Sequence, residues 1–236
     1  MIKAIKSEDR HHADFGWVDT HWHFSFDSYH DPANMNWGAL RVFNDDIVEP
    51  GQGFGRHPHR DMEIVTYVLS GELEHQDSVG NRGVIHAGEV QVMSAGTGIH
   101  HSEFNHSNEN PVHFIQLWIF PRAHGRKPRW EQHQFAPSQR QGKLLPVASG
   151  GEIEGTLAID QDAQIYISAL PAGTAVKHQS RPHRRAYVFT IEGEVSVNDV
   201  KLAKGDQARI ADEPELSIKA TKDSEVILLD LPELSR

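Results

Sequence analysis

The 236-residue sequence contains no cysteine. This absence excludes disulfide bonds, cysteine-ligated zinc, iron–sulfur clusters and thiol catalysis. The sequence also lacks any run approaching the ~18 uninterrupted apolar residues of a membrane span, and its first ten residues are charged rather than apolar like the core of a signal peptide. We therefore expect a cytoplasmic protein that does not contact membranes. Any bound metal ion must be held by histidine and carboxylate side chains.

The sequence contains fewer basic than acidic residues. Lysine and arginine number 23 against 33 aspartate and glutamate residues, which gives a formal net charge of −10. This balance argues against a protein that binds a phosphate backbone through its overall charge, so we expect no direct contact with nucleic acid. The chain is 38% hydrophobic and 24% charged, a composition typical of globular proteins. We expect it to be a monomer.

Helical periodicity is almost absent. Short segments bounded by Gly, Pro, Asn or Asp predict β-strands instead. The predicted strands cover residues 38–48, 63–69, 89–93, 112–120, 164–170, 186–191 and 225–231. Many short strands separated by turns indicate a sandwich or a barrel, so we predict an all-β protein with few helices.

A weak internal repeat relates the two halves of the chain. Residues 67–73 resemble 189–195, each with a central Gly-Glu turn, and 117–121 resemble 228–232. The same order of strands and turns occurring twice predicts two similar β-barrels. Residues 122–151 are polar and rich in Gly, Pro and Gln, which predicts a linker. We place the boundary near residue 140, with domains at 1–140 and 141–236.

Histidine is over-represented in the first half, since fifteen of the 17 histidines lie at or before His133. His57 and His59 lie in a glycine-rich segment, and His101 and Glu103 follow about forty residues later. Side chains at positions i and i+2 of an extended segment point to the same face. On adjacent strands, the two pairs therefore predict a pocket of three imidazoles and one carboxylate.

Two alternatives remain open for this pocket. His100 can replace His101 but cannot join it, because adjacent residues of a strand face opposite sides. Glu63, four residues beyond His59, is a second candidate ligand or a structural charge. Imidazole and carboxylate ligands suit Fe, Mn, Ni, Cu or Zn and do not select among them.

The segments HPH, TYVLSGELEHQDS, MSAGTGIHHSE and LWIFP resemble the pirin family of bicupins, in particular its bacterial members described as quercetin 2,3-dioxygenases. The resemblance is dense from residue 14 to about 121 and holds only in outline beyond. It implies two cupin barrels of the jelly-roll type, with one divalent metal ion bound by His57, His59, His101 and Glu103. Fe(II) is the metal expected, with Mn, Ni, Cu, Co and Zn as alternatives.

The second half departs from a metal-binding cupin. His178 and His183 are five residues apart, which is not the H-x-H spacing, and residues 205–217 contain no histidine. We therefore expect the C-terminal cupin to lack a metal site, as the resemblance also implies. His75 and His113 are candidates to line the barrel. The histidines at 11, 12, 21, 23 and 30 are expected to pack or to lie on the surface.

The resemblance implies a dioxygenase that binds a flavonol through its 3-hydroxyl and carbonyl groups, opens the ring with O2 and releases carbon monoxide. Glu103 is then the candidate catalytic base for the hydroxyl proton. Phe54, Met93 and Phe114 are candidates for the wall of an aromatic-binding pocket, although each also suits an ordinary core. The alternatives are a metal-dependent regulatory protein, acting as a transcription cofactor or redox sensor, and another cupin activity.

Overall fold

A computed structural model describes residues 1–234 of the protein, and its regular structure is almost entirely β-strand. The first part of the chain forms β1 (Ile2–Ile5), β2 (His11–Asp14), β3 (Val18–Trp22), β4 (Leu40–Val48), β5 (Gly53–His59), β6 (Glu63–Ser70), β7 (Glu72–Asp77), β8 (Arg82–His86), β9 (Glu89–Ser94), β10 (Ile99–Asn105), β11 (Val112–Ile119) and β12 (Arg129–Gln134). The second part forms α1 (Pro137–Arg140), β13 (Leu145–Ser149), β14 (Leu157–Ala158), β15 (Gln164–Leu170), β16 (Ala175–Gln179), β17 (Arg184–Glu192), β18 (Glu194–Val197), β19 (Val200–Ala203), β20 (Gln207–Ala211), β21 (Glu215–Ala220) and β22 (Ser224–Pro232). A single turn of 3-10 helix covers Ser7–Asp9.

The strands form two double-sheet barrels. In the N-terminal barrel, a seven-stranded sheet in the order β12-β9-β6-β11-β4-β3-β2 faces a four-stranded sheet in the order β5-β10-β7-β8. In the C-terminal barrel, the orders are β1-β20-β17-β22-β15-β13-β14 and β16-β21-β18-β19. The predicted fold of two jelly-roll barrels is confirmed, and all seven predicted strands are present with bounds within two residues of those expected.

Two features of the chain path differ from the sequence prediction. The expected linker at 122–151 is wrong in two segments: Arg129–Gln134 forms β12 and extends the N-terminal sheet beside β9, and Leu145–Ser149 forms β13 beside β15 in the C-terminal sheet. The strand Ile2–Ile5, although it precedes the whole N-terminal barrel, pairs with β20 and extends the C-terminal sheet. The division of the chain near residue 140 stays a prediction, and β1 lies on the far side of it from the sheet that it joins.

The largest apolar core lies between the two seven-stranded sheets. Phe43 on β4 packs against Tyr187 and Phe189 on β17, with ring centroids 5.1 and 5.2 Å apart, and residues of β11 and β22 complete the layer. Burying side chains of this size stabilises the fold by about 1.5–3 kcal/mol each. The barrels are therefore joined through a shared hydrophobic layer.

The interiors of the two barrels differ in polarity. The C-terminal barrel contains one continuous apolar cluster. In the N-terminal barrel the apolar side chains fall into two smaller clusters, and a polar row crosses the sheet where the register places Asn44, Gln116, Thr66 and Gln91 side by side. All four side chains are buried or half-buried. Because buried polar groups are costly without partners, this row marks the interior that is built around a polar site.

Candidate metal centre

β5 and β10 lie side by side in the four-stranded sheet and place the predicted histidines together. His101 is directly opposite His57, and Ile99 is opposite His59. Side chains alternate along both strands, so His101 and Glu103 point into the barrel while His100 is exposed. The alternative that used His100 in place of His101 is therefore wrong. A β-bulge between His101 and Glu103 shifts the register, so that Glu103 pairs with Phe54.

The three imidazoles of His57, His59 and His101 converge, with ring centroids 4.4 to 4.8 Å apart. The Nδ1 atom of His57 donates a hydrogen bond to the carbonyl oxygen of Gly55 at 2.7 Å, which leaves the Nε2 lone pair facing the cluster. That Nε2 atom lies 3.0 Å from Nε2 of His101. Two imidazole nitrogens that bind one metal ion at about 2.1 Å and at right angles are about 3.0 Å apart, so the donor set fits a divalent metal ion.

Burial and the neighbouring imidazoles lower the pKa of both His59 and His101 to about 3. Desolvation is the larger cause, and the other histidines of the cluster add to it. Both shifts favour the neutral ring. A neutral ring keeps the lone pair that a metal ion requires, so the electrostatics of the cluster suit metal binding.

Glu103 is buried next to His101 and is held by two amides. The side chain of Gln91 donates to Oε1 at 2.6 Å, and that of Gln116 donates to Oε2 at 2.7 Å. The amide oxygens are occupied in turn, since Trp130 donates its indole N–H to Gln91 at 2.7 Å and Trp118 donates to Gln116 at 3.0 Å. Neither amide can therefore turn over without losing a hydrogen bond. Each carboxylate oxygen accepts one side-chain N–H and keeps a second lone pair.

His101 and Glu103 also approach a fourth imidazole, that of His75 on β7. One donor atom each from His75, His101 and Glu103 lies within 4.8 Å of the others. The Nδ1 atoms of His75 and His101 are 3.5 Å apart, and Nε2 of His75 lies 3.4 Å from a carboxylate oxygen of Asp77. His75 is completely buried. It lies inside the barrel, one of the places that the sequence had suggested for it.

A cavity of about 480 Å³ opens beside the cluster. It is lined by Phe15, Trp17, Val18, Thr20, Trp22, Phe26, Asp27, Asn44, Asp46, Phe54, His57, Glu103, Gln116 and Trp118. Phe54 is therefore part of the wall, as predicted. Met93 and Phe114 belong instead to apolar core clusters, so their placement in that wall is wrong. The cavity combines an aromatic surface with the imidazole of His57 and three carboxyl groups, those of Asp27, Asp46 and Glu103.

The remaining candidates have other partners. Glu63 is buried and accepts a hydrogen bond from Ser94 at 2.6 Å, apart from the three histidines. His12, Asp19 and His21 form a separate group on the more exposed side of the β2–β3 hairpin. In the C-terminal barrel, His178 bonds Asp230 at 2.7 Å, and the same carboxylate binds the buried guanidinium of Arg184. Both oxygens of the Asp230 carboxylate therefore have partners within the C-terminal barrel.

The supports of Glu103 and His101 were not predicted from the sequence. Gln91 and Gln116 are polar residues at inward positions with apolar neighbours on both sides, in the strands EVQVMS and VHFIQLWI. That break in the apolar pattern is the signal that would have found them. Trp130 has no such signal, because it lies in the segment interpreted as a linker. Among residues 1–234, no helix is long and apolar enough to cross a membrane.

The comparisons with known proteins agree with this geometry. The Pirin profile matches residues 5–119, and the profile described as the quercetinase C-terminal cupin domain matches residues 146–231. The chain is 49% identical to the quercetin 2,3-dioxygenase of Escherichia coli K12 over 98% of its own length and 99% of that protein. It is 45% identical to a pirin-like protein of Caulobacter vibrioides, over 92% and 94% of the two chains.

A solved structure of the bacterial pirin YhhW from Escherichia coli in complex with nickel(II) covers 99% of this chain and 100% of its own. The two superimpose with a TM-score of 0.94 at 47% identity. Identity at this level over the full length of the curated dioxygenase shows that the present chain is an enzyme of the oxidoreductase type. Sequence profiles, relatives and fold all agree that the chain belongs to the pirin family of bicupins.

Proposed function

We propose that His57, His59, His101 and Glu103 bind one divalent metal ion, with Fe(II) as the native metal. The support is the convergence of the three imidazoles, with Nε2 of His57 and Nε2 of His101 3.0 Å apart. The buried Glu103 carboxylate has free lone pairs, and the structure groups it with His101 and His75 rather than with His57 and His59. The crystal structure of the related pirin with nickel(II) also supports a divalent ion. Four protein ligands leave two positions of a six-coordinate ion open, an arrangement typical of catalytic sites.

We further propose that the enzyme cleaves a flavonol of the quercetin type with O2. Both oxygen atoms enter the product, the heterocyclic ring opens and one ring carbon leaves as carbon monoxide. The observation that carries this proposal is the cavity of about 480 Å³ whose aromatic wall reaches His57 and Glu103, since its volume lies within the usual range of about 300–1,000 Å³ for small-molecule sites. The name of the Escherichia coli relative supports the same substrate.

The bound metal ion would lower the pKa of the flavonol hydroxyl group and bring substrate and O2 together. The chain contributes the remaining functions. Phe54, Trp17 and Trp118 provide flat surfaces for the rings of the substrate. Glu103 accepts the hydroxyl proton at Oε2, the oxygen whose partner Gln116 also lines the cavity. Trp118 fixes Gln116, so the carboxylate is held in place before the substrate arrives.

The test is an aerobic assay of freshly purified protein whose metal content has been measured. Quercetin consumption is followed by its visible absorbance, O2 uptake by an electrode and carbon monoxide by gas chromatography. We expect the three quantities to agree in a 1:1:1 ratio. A His59→Ala variant serves as the control for free metal. Consumption of quercetin without carbon monoxide, or at the same rate in this variant, would refute the proposal.

A further inference from the structure

β10 contributes His101 and Glu103 to the site, and Trp130 contacts a neighbour of each of them. Its indole N–H donates to the amide oxygen of Gln91, which holds Glu103. Its ring also stacks on His75, with centroids 5.2 Å apart and planes inclined by 13°. One side chain of β12 is therefore in contact with the hydrogen-bond partner of Glu103 and with the ring that faces His101.

The stack of Trp130 on His75 requires a glycine at position 83. Gly83 on β8 lies directly opposite His75 on β7. A Cβ atom at Gly83 would lie 2.6 Å from Cη2 of Trp130, a distance too short for two carbon atoms. The φ angle of Gly83 is outside the left-handed region, so backbone conformation does not require glycine here. The glycine makes room for the indole to lie over β8 and reach His75.

The hydrogen-bond pattern defines the orientation of His101. The carboxylate of Asp77 can only accept, so Nε2 of His75 carries the hydrogen that points to it. A His75 ring with its single hydrogen on Nε2 has a lone pair on Nδ1, which lies 3.5 Å from Nδ1 of His101 and is in a position to accept a hydrogen from it. A neutral His101 that carries its hydrogen on Nδ1 presents the Nε2 lone pair to the three-histidine cluster.

We propose that His75 and Trp130 are positioning residues for the metal ion: His75 fixes the tautomer and orientation of His101, and Trp130 holds His75 and Gln91 in place. This inference rests on the proposed metal ligands. Partners of this kind, which bind a ligand rather than the metal, typically change metal affinity by about 10–100-fold when they are removed. Neither residue lines the cavity, so neither is expected to touch the substrate.

A matched pair of variants at His75 tests the first part. His75→Asn keeps an oxygen acceptor near the position of Nδ1, whereas His75→Leu has similar bulk and no acceptor. Co(II) is the probe, since its visible absorption reports the geometry of its ligands and competition with a chelator gives its affinity. We expect His75→Leu to bind Co(II) about 10–100-fold more weakly with a changed spectrum, and His75→Asn to remain near the wild type. Equal affinities in wild type and His75→Leu, or equal losses in both variants, would overturn the inference.

The hydrogen bond itself is measured in the Zn(II)-loaded protein, because Nε2 of His57 and Nε2 of His101 are 3.0 Å apart and would share a hydrogen in the absence of a metal ion. The Nδ1–H of His101 is followed by 1H–15N NMR. We expect slow exchange of this hydrogen with solvent in the wild type and in His75→Asn, and faster exchange in His75→Leu. Equal exchange rates in the wild type and in His75→Leu would contradict the proposed role of His75.

Trp130→Phe keeps an aromatic ring over His75 and removes the hydrogen bond to Gln91. Trp37→Phe is the matched control, because the Trp37 indole donates to the backbone of Ala186, away from the site. We expect weaker Co(II) binding only in the first variant, and equal affinities would refute the role of Trp130. His101→Ala distinguishes failure of the proposed metal ligands from failure of the proposed role of His75. If it retains Co(II), the proposed ligand set fails; if it loses Co(II) while His75→Leu does not, only the present inference fails.

Discussion

Replacing Glu103 by Gln gives the sharpest test of the carboxylate at the centre of the site. In the wild type, its two oxygens face two amide N–H donors, those of Gln91 and Gln116. The substitution keeps one oxygen and turns the other into an NH2 group, so two donors face each other. The neighbouring amides cannot turn to adapt, because Trp130 and Trp118 donate to their oxygens.

The expected size of the effect follows from this geometry. A buried donor without a partner costs about 1–3 kcal/mol. Loss of the negative charge also weakens the hydrogen bond that remains, but it removes the cost of keeping a charge in the interior, and these two effects oppose each other. We expect Glu103→Gln to lower the unfolding free energy of the metal-free protein by about 1–3 kcal/mol. Turnover should fall by about 10²–10⁴-fold, the usual contribution of a general base.

The double variant Glu103→Gln with Gln116→Glu separates the structural role from the catalytic one. In this double variant the amide N–H at position 103 faces the carboxylate at position 116, so a donor again faces an acceptor. The carboxylate now belongs to residue 116 instead of residue 103. Urea unfolding of the metal-free forms should therefore show stability recovered in the double variant, whereas quercetin turnover at full metal occupancy should stay low. Turnover of Glu103→Gln within a few-fold of the wild type would show that Glu103 is not the base. An unchanged unfolding free energy would show that the two glutamines do not hold it as described.

Four further outcomes are expected. One equivalent of metal per chain should survive dialysis against a chelator, and two tightly bound equivalents by elemental analysis would contradict this. His59→Ala and His101→Ala should lose the metal and the activity but keep the fold, since each barrel has its own apolar core; loss of the β circular-dichroism signal at room temperature would disprove the second part. Burial raises the pKa of Asp46 to about 7, so the folded state binds this proton more tightly than the unfolded chain does. Stability from this group is present below about pH 4 and is lost as the pH rises towards 7; Asp46→Asn should flatten this part of the profile, and an unchanged profile in thermal unfolding would refute the assignment. Asp230→Asn should destabilise the protein by about 1–3 kcal/mol, because the buried Arg184 guanidinium loses one of its two carboxylate partners and keeps Asp162 at 3.0 Å. The metal content should stay at the wild-type value in the same preparation.

The histidine pattern was informative because the period of a strand is a local property. His57 and His59 had to share a face once the segment was extended, and so did His101 and Glu103. Strand bounds were equally local, since Gly, Pro, Asn and Asp terminate strands through their own backbone preferences. The structure brings the three predicted histidines together as these patterns required.

The segment around Trp130 shows where such reasoning stops. Its composition is that of a linker, yet β12 pairs with β9 along six residues. This edge strand is stabilised by hydrogen bonds to β9, and Trp130 packs where a side chain at position 83 would otherwise lie. Both conditions depend on residues outside β12. The strand Ile2–Ile5 is a similar case, because its partner β20 lies about 200 residues away.

The sequence by itself determined the all-β architecture, the barrel that carries the histidines and the face on which they lie, because alternation and turn chemistry act over a few residues. Only the tertiary structure decided how Glu103 and His101 are held. The bulge between them, the amides of Gln91 and Gln116 and the stack of Trp130 on His75 depend on the register of strands distant in the chain. Register is set by packing of the whole sheet, so this part of the site exists only once the barrel has closed.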